Sequence, residues 1–232
     1  MSTKIFCAIA DFHLIKKFVN RKIVKGFTTS PSLMRKAGAK NYQQYCKKIL
    51  KICKFKPISF EVFGDNYKSM MDQAVKINKW GKNVYVKVPV VNSKNKFTGK
   101  VIKELNKEKI KLNITAVYSA VQTKKILNVI DKKTKVIISI FAGRAADVGK
   151  DPIPEFKKSI SMARKFKNVE ILWASVREPY NYLQSKQLGC HIITVPPAII
   201  DKIEKFGKTF HQLTQETVKN FLTDSKKSKF KM

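Results

Sequence analysis

The sequence is poor in arginine and cysteine and has no long apolar run. Only five of its 48 basic residues are arginine, the side chain whose bidentate fork is favoured for reading bases and phosphates. No apolar stretch approaches the roughly 20 residues of a membrane-spanning helix, and the first residues lack the apolar region of a signal peptide. These absences argue against a specific nucleic-acid partner and a membrane partner, and they favour a cytoplasmic protein.

The four cysteines, Cys7, Cys46, Cys53 and Cys190, do not have the spacing of a metal site. In particular, the interval between Cys46 and Cys53 is too wide for a zinc knuckle. Scattered thiols in a chain without an export signal are typical of a reducing cytoplasm. We therefore interpret the cysteines as core residues and predict no metal and no cofactor.

The net charge is +32, but the positive charge is diffuse. The lysines are spread along the whole chain, and Lys, Asn, Ile and Phe are all encoded by A/T-rich codons, which is consistent with a compositional bias. Such a surface predicts weak, salt-dependent binding to polyanions. The one local basic run lies at 225–232, where a frayed terminus is expected.

Strand and helix patterns alternate about eight times along the 232 residues. Helical residues are predicted from Leu33 to about Lys54, and Asp11 is predicted to cap the first helix. Eight β-α repeats predict a single (β/α)8 barrel, the TIM-barrel fold, over residues 1–232. The predicted strands are Ile5–Ala8, Gly26–Ser30, Ile58–Phe63, Val84–Pro89, Lys111–Val117, Lys135–Phe141, Val169–Ser175 and His191–Val195.

One more helix is predicted beyond the eighth repeat, at 209–224. Its apolar residues recur at helical spacing and are Phe210, Leu213, Val218, Phe221 and Leu222. A helix with such a stripe packs either on its own barrel or on a neighbouring copy of the chain.

The strand Val84–Pro89 carries Lys87 within a β-branched apolar run. Such a run predicts burial on both faces. Burial lowers the pKa of a lysine, and a neutral amine is a nucleophile toward carbonyl carbon, as in Schiff-base enzymes. The alternative is a lysine at a strand end whose amine reaches water.

Polar residues at the other strand ends favour the functional interpretation of Lys87. Alternation along the strands places Glu61, Lys87, Thr115, Ser139 and Ser175 on lumen-facing positions. A barrel carries its chemistry at the carboxyl ends of its strands. A single buried hydroxyl is weak evidence, but this set predicts an amine, a carboxylate and hydroxyls in one barrel mouth.

Five motifs, in this order, resemble the transaldolase family, in the compact branch that includes fructose-6-phosphate aldolase. They are Thr28-Thr29-Ser30-Pro31-Ser32, Val86-Lys87-Val88-Pro89-Val90, Thr115-Ala116-Val117-Tyr118, Phe141-Ala142-Gly143-Arg144 and Ala174-Ser175-Val176-Arg177. The resemblance runs from Lys4 to the final helix. It implies an enzyme that forms a lysine imine with a dihydroxyacetone-type donor and acts on sugar phosphates without a cofactor.

The resemblance also implies a role for each matched residue. Lys87 is the imine lysine, and Glu61 and Thr115 activate a water during imine formation. The substrate and its phosphate are bound by Thr28, Ser30, Ser139, Phe141, Arg144, Ser175 and Arg177. Surface ion pairing is the alternative for the two arginines, which the scarcity of arginine disfavours. Because the compact branch builds rings from its C-terminal helices, the resemblance implies a homo-oligomer as well.

The chain departs from the family pattern at three positions. The family's first strand ends Leu-Asp-Thr, and the ungapped match is Cys7-Ala8-Ile9, so Ala8 replaces the acid/base aspartate of carbon–carbon cleavage. Asp11 comes three residues later, where a helix cap is expected. The family's asparagine in the second motif is Ser30, and the threonine after the lysine strand is Val91. The imine-forming set is therefore retained without the usual cleavage residue.

We expect an active Schiff-base enzyme with an altered substrate or altered chemistry. A positioned general acid/base contributes on the order of 10²–10⁴-fold, so its loss slows cleavage without abolishing imine formation. A drifted, inactive chain should also have lost Lys87 and Glu61, because a buried amine and carboxylate cost stability. Two alternatives stay open: a standard pentose-phosphate transaldolase and a catalytically impaired homologue.

Overall fold

The computed structural model describes residues 2–53 and 55–231, and the predicted boundaries at Met1, Lys54 and Met232 fall outside these residues. Eight parallel strands close into a barrel in sequence order. This confirms the predicted (β/α)8 fold. The strands are β1 (Lys4–Ala8), β2 (Val24–Thr28), β3 (Ile58–Glu61), β4 (Val84–Pro89), β5 (Leu112–Val117), β6 (Val136–Phe141), β7 (Val169–Ala174) and β8 (Ile192–Val195).

Helices surround the barrel and follow its strands. Within the described ranges they are α1 (Phe12–Phe18), α2 (Pro31–Lys36), α3 (Tyr42–Cys53), α4 (Tyr67–Asn78), α5 (Gly99–Lys107), α6 (Ala120–Leu127), α7 (Ala142–Ala146), α8 (Ile153–Ala163), α9 (Tyr180–Leu188), α10 (Pro197–Ile203) and α11 (Phe210–Ser228). Asp11 caps α1 as predicted, because its side chain accepts a hydrogen bond from the Leu14 backbone N–H at 2.8 Å.

The helical region predicted from Leu33 to about Lys54 consists of two helices, α2 and α3. Gly38 adopts a left-handed φ of 75°, which ends α2. A new helix, α3, then begins after Asn41, whose side chain accepts from the Gln44 N–H at 3.0 Å. The short helix α7 was not predicted, since five residues are too few to show helical periodicity.

Apolar side chains fill the barrel lumen beneath the polar residues of its mouth. Phe6, Tyr85, Ile137, Leu172 and Ile192 pack together inside it. Each lies two residues before a residue of the barrel mouth, and side chains two apart on a strand share a face. The plug therefore closes the lumen beneath the mouth. A larger core lies between the strands and the helices.

The final helix, α11, has no buried residue. Its apolar stripe stays exposed, including Phe210 at 90% and Phe221 at 68%, so the helix does not pack on its own barrel. It also runs through Ser228, four residues beyond the predicted end at 224. The prediction of a frayed tail is therefore wrong for residues 225–228, because Lys226 and Lys227 in the last turn suit the helix C-terminus.

The four cysteines are buried and free of disulfides. Burial raises the pKa of each thiol to about 12, so they are unreactive core residues, as predicted. In the described part of the chain no group of His, Cys, Asp and Glu could hold a metal ion. The same residues include no helix that is long and apolar enough to cross a membrane.

Candidate active site

Lys87 is held inside the barrel, contrary to the alternative in which its amine reaches water. The residue is 7% exposed, and its Nζ lies 3.1 Å from Glu61 Oε2. The amine also donates to the backbone carbonyl of Thr29 at 3.1 Å. The β3–β4 register places Glu61 opposite Lys87, so the ion pair follows from the pairing of these strands.

The end of β3 that carries Glu61 is fixed by Tyr42 of α3. The Tyr42 hydroxyl donates to the Glu61 carbonyl at 2.8 Å and accepts from the Glu61 N–H at 3.0 Å. Burial raises the pKa of Tyr42, so the phenol keeps the proton that it donates. This anchor holds Glu61 in register with Lys87, and no sequence pattern indicates it.

Thr115 provides a buried hydroxyl beside this pair. The residue is 2% exposed, and its Oγ1 has no hydrogen-bond partner among the described residues. The next residue, Ala116, has a left-handed φ of 57°, where the β5–β6 register shifts. Because an unsatisfied buried hydroxyl costs about 1–3 kcal/mol, Thr115 is suited to bind a polar atom of a ligand.

A hydrogen-bonded polar layer adjoins the pair, and sequence reasoning missed two of its members. Asn113 is fully buried, and its Nδ2 donates to Ser59 Oγ at 2.9 Å. Ser139 donates to Asn113 Oδ1 at 2.6 Å. Ser59 and Asn113 each lie two residues before a predicted site residue, so strand alternation could have found them. Their bonds orient the Ser139 hydroxyl from below.

The rim on the other side is built by α7 and the end of β7. Ser175 Oγ accepts from the Arg144 N–H at 3.1 Å, and the Arg144 guanidinium lies 5.6 Å from the centre of the Phe141 ring. Gly143 is required here, because an added Cβ would lie 1.9 Å from the Ser175 carbonyl oxygen. This close approach brings together the two motifs that are predicted to bind phosphate.

The position of Ser175 differs from the predicted one. Leu172 and Ala174 face the lumen, whereas Trp173 faces outward and stacks on Phe156. The lumen-facing position therefore belongs to Ala174, and the prediction for Ser175 was wrong by one residue. Ser175 still borders the cleft because it lies past the strand, in a left-handed conformation with φ 62°.

Arg177 is engaged in an ion pair at the edge of this rim. Its Nε donates to Asp147 Oδ1 at 3.2 Å, and a second contact joins its Nη2 to Asp147 Oδ2. Both side chains are about half exposed, at 51% and 50%. A phosphate would compete with Asp147 for the guanidinium. Sequence reasoning did not identify Asp147, because it lies on no strand end.

A cleft of about 450 Å³ lies at the carboxyl ends of the strands. It is lined by every predicted site residue, namely Thr28, Ser30, Glu61, Lys87, Thr115, Ser139, Phe141, Arg144, Ser175 and Arg177, and by Ala8. The cleft thus combines an amine paired with a carboxylate, a free hydroxyl and a basic rim.

Comparison with known proteins identifies the family of this chain. The profile of the family described as "Transaldolase/Fructose-6-phosphate aldolase" matches residues 5–232. The chain belongs to this family. It is therefore an enzyme of an aldolase and transferase family.

Individual relatives match over nearly their whole length. A protein named "Probable transaldolase" from Nitrosopumilus maritimus is 32% identical, over 97% of this chain and 96% of its own. Proteins with the same name from Herpetosiphon aurantiacus and Thermoplasma acidophilum are 32% and 33% identical, covering 95% and 97% of this chain and 94% and 96% of theirs. A dihydrodipicolinate synthase family protein from Coccidioides immitis shares the fold, with a TM-score of 0.58 at 11% identity, over 84% of this chain and 68% of that one.

The departures from the transaldolase pattern have clear positions in the structure. Ala8, where the resemblance implies an aspartate, lines the cleft. Asp11 does not replace it, because its carboxylate caps α1. Ser30 caps α2 by accepting from the Leu33 N–H at 3.2 Å, and Val91 forms an isolated bridge with Phe97. Of the described residues that line the cleft, Glu61 alone is acidic.

Proposed function

We propose that this member of the transaldolase family is a class I, Schiff-base enzyme acting on sugar phosphates, with Lys87 as the nucleophile. The observation that carries the proposal is the enclosed Lys87 amine, 3.1 Å from Glu61 Oε2, in a cleft that also holds the unpartnered Thr115 hydroxyl. The donor is a ketose whose first three carbons form a dihydroxyacetone unit. Catalysis needs no metal and no cofactor in this mechanism.

Imine formation can be followed through these residues. Glu61 accepts a proton from the Lys87 ammonium, and the neutral amine attacks the ketone carbon. A proton then moves from the nitrogen to the former ketone oxygen, which gives the carbinolamine. Glu61 then returns the proton to the departing hydroxyl, which leaves as water, and the nitrogen lone pair forms the C=N bond. Thr115 holds this water by a hydrogen bond, the role that its free hydroxyl suits.

Trapping of the imine tests the proposal. Borohydride added with fructose 6-phosphate should reduce the imine, inactivate the enzyme and add the mass of the bound ketose or of its three-carbon fragment. Borohydride alone should do neither. An enzyme that gains no mass in the presence of several ketose phosphates would contradict Schiff-base chemistry.

The rate of turnover distinguishes the altered reaction that we favour from its two alternatives, a standard transaldolase and an impaired homologue. Ala8 supports altered chemistry, since a cleavage acid/base is missing from the cleft. The retained motifs favour a standard pentose-phosphate transaldolase, which would transfer the three-carbon unit to an aldose phosphate at an ordinary rate of about 1–10³ s⁻¹. An impaired homologue would form the imine and release no aldehyde.

Arg177 provides a prediction about phosphate recognition. Arg177→Ala should raise the KM for fructose 6-phosphate by about 10- to 150-fold, the equivalent of a hydrogen bond to a charged group. Asp147→Asn is the matched control: it frees the guanidinium from its carboxylate partner, so it should lower the KM. Steady-state kinetics on phosphorylated and unphosphorylated fructose measure both effects. An equal KM change for the two sugars would refute the assignment.

We further propose that the protein is a homo-oligomer assembled through α11. The proposal is supported by the apolar stripe of this helix, which stays exposed in the single chain. The net charge of +32 opposes close approach of subunits. Salt screens this repulsion, because the Debye length is about 8 Å at physiological ionic strength.

The oligomer should be stable at physiological salt and should loosen as salt is lowered. Phe221→Asp should dissociate it at all salt concentrations, because the substitution places a charge in the apolar stripe. Thr223→Asp is the control, since helix geometry puts this residue on the opposite face. Light scattering across a salt series measures the mass, and a monomer at every salt concentration would rule the assembly out.

We place the enzyme in the cytoplasm, with small sugar phosphates as its partners rather than a membrane or a specific nucleic acid. The four buried free thiols support a reducing compartment. The diffuse lysines support only weak binding to polyanions.

A further inference from the structure

We propose that the hydroxyl pair of Thr28 and Thr194 binds the substrate hydroxyl that loses its proton during carbon–carbon cleavage. In this chain the pair would thereby do part of the work of the missing aspartate. The inference rests on the Schiff-base function proposed above and identifies the residues that serve its cleavage step. Thr194 belongs to none of the five sequence motifs.

The pair is formed across β1. This strand lies between β2 and β8, with Ala8 opposite Thr28 and Phe6 opposite Thr194. The two threonine hydroxyls hydrogen-bond to each other, and both threonines line the cleft together with Ala8. Side chains on two strands that flank a third strand can meet across that strand when its intervening residue is small. Ala8, with only a methyl group, permits this contact.

The space next to Ala8 is also closed from below. An added Cβ on Gly26 would lie 2.6 Å from Cζ of Phe6, so the Phe6 ring fills the lumen beside that glycine. A larger side chain at position 8 could not turn toward the plug. It would extend into the space that the Thr28 and Thr194 side chains occupy, so Ala8 and the hydroxyl pair fit as one unit.

The pair has hydrogen-bonding capacity left for a ligand. Two hydroxyls supply two hydrogens and four lone pairs, and their mutual bond uses one of each. One O–H and lone pairs on both oxygens therefore remain. Thr28 and Thr194 are 6% and 7% exposed, and a buried polar group that bonds the substrate gains more than one in bulk water.

The cleavage step can be balanced without a carboxylate at position 8. The substrate C4 hydroxyl donates its hydrogen bond to the pair. As the C3–C4 bond breaks, its electron pair enters the iminium to give an enamine, and C4 becomes the carbonyl of glyceraldehyde 3-phosphate. The C4 hydroxyl proton passes to the threonine oxygen that accepts its hydrogen bond, while the pair transfers a proton along its mutual bond and its remaining O–H gives one to a water molecule, from which it leaves to bulk solvent. Because water is a weak base, the step is slower than carboxylate-assisted cleavage.

Isosteric removal of the hydroxyl tests the pair. Thr194→Val keeps the side-chain shape and should lower single-turnover release of glyceraldehyde 3-phosphate from fructose 6-phosphate by about 10- to 150-fold, the range of a hydrogen bond to a developing charge. Borohydride trapping should be unchanged. Thr194→Ser should restore most of the rate. Thr28→Val should match Thr194→Val, and the double variant should lose little more, because residues acting as a unit are not additive.

The outcomes separate this inference from the proposed function. Unchanged release by Thr194→Val would overturn it, as would an equal loss of trapping and release, which indicates general damage to the site. If Thr194→Val does not fold, the same two criteria apply to Thr28→Val. Thr194→Ser should then still keep most of the wild-type rate of release. A wild type that is trapped but releases no aldehyde also overturns the inference while leaving the Schiff base intact. A wild type that is not trapped overturns both.

Discussion

Aspartate at position 8 should accelerate aldol cleavage of fructose 6-phosphate. The gain expected from a positioned general acid/base is about 10²–10⁴-fold. Ala8→Asp alone should show only part of this gain, because the carboxylate enters the space of the Thr28–Thr194 pair. Combined with Thr194→Ala, which makes room, the substitution should reach the full range. Release of glyceraldehyde 3-phosphate under single-turnover conditions measures it.

The new carboxylate would be placed to act as a base. Ala8 and Lys87 line the same cleft, so the positive iminium formed on Lys87 would favour the ionised aspartate. Ser30→Asn is a further change to combine with it, since the family asparagine belongs to the same corner and neighbouring substitutions are often non-additive.

The matched control is Ala8→Asn with Thr194→Ala. Asparagine has the shape of aspartate and cannot take a proton, so this variant should gain nothing. An equal gain from asparagine would attribute the effect to shape rather than to acid/base chemistry. If the wild type already cleaves at an ordinary enzymatic rate, the missing aspartate is compensated, and the standard transaldolase function applies instead.

Lys87→Arg should abolish imine trapping completely. Arginine preserves the positive charge that faces Glu61 across 3.1 Å, so the buried pair keeps its partner, but a guanidinium does not form the imine. The loss of all covalent product makes this the largest effect expected of a single substitution. Intact-mass measurement after borohydride reduction with fructose 6-phosphate detects it.

Lys111→Arg is the control for Lys87→Arg. The pKa of Lys111 is lowered mainly by burial and further by Lys135, so a larger share of its amine is neutral than in an exposed lysine. Lys111 directly precedes β5 and does not line the cleft. Trapping should be unaffected in Lys111→Arg. Undiminished trapping in Lys87→Arg would refute the assignment of the nucleophile.

The strands were predictable because their signals are strong and local. The bounds of β4 agree with its β-branched run, and alternation alone puts Glu61, Lys87, Thr115 and Ser139 in one cleft. Where the local signal ends, the prediction was incomplete at one position and wrong at another. The left-handed Gly38 that divides α2 from α3 and the left-handed Ser175 past β7 are backbone states that no periodicity reveals.

Contacts between distant elements could not be predicted from the residues alone. Tyr42 reaches Glu61 from a helix, and Asp147 reaches Arg177 across the rim. The Thr28–Thr194 bond joins residues 166 positions apart. Each contact depends on side chains that the closed barrel brings together, and of these residues only Thr28 and Arg177 lie in the five sequence motifs.

The most direct test of the account is to locate the trapped residue. Wild-type protein reduced by borohydride in the presence of fructose 6-phosphate should be digested and its peptides sequenced by mass spectrometry. The account predicts one modified lysine among the 43 in the chain, Lys87, with the adduct absent when the sugar is omitted. Modification of a different lysine, or of many lysines at similar levels, would contradict it.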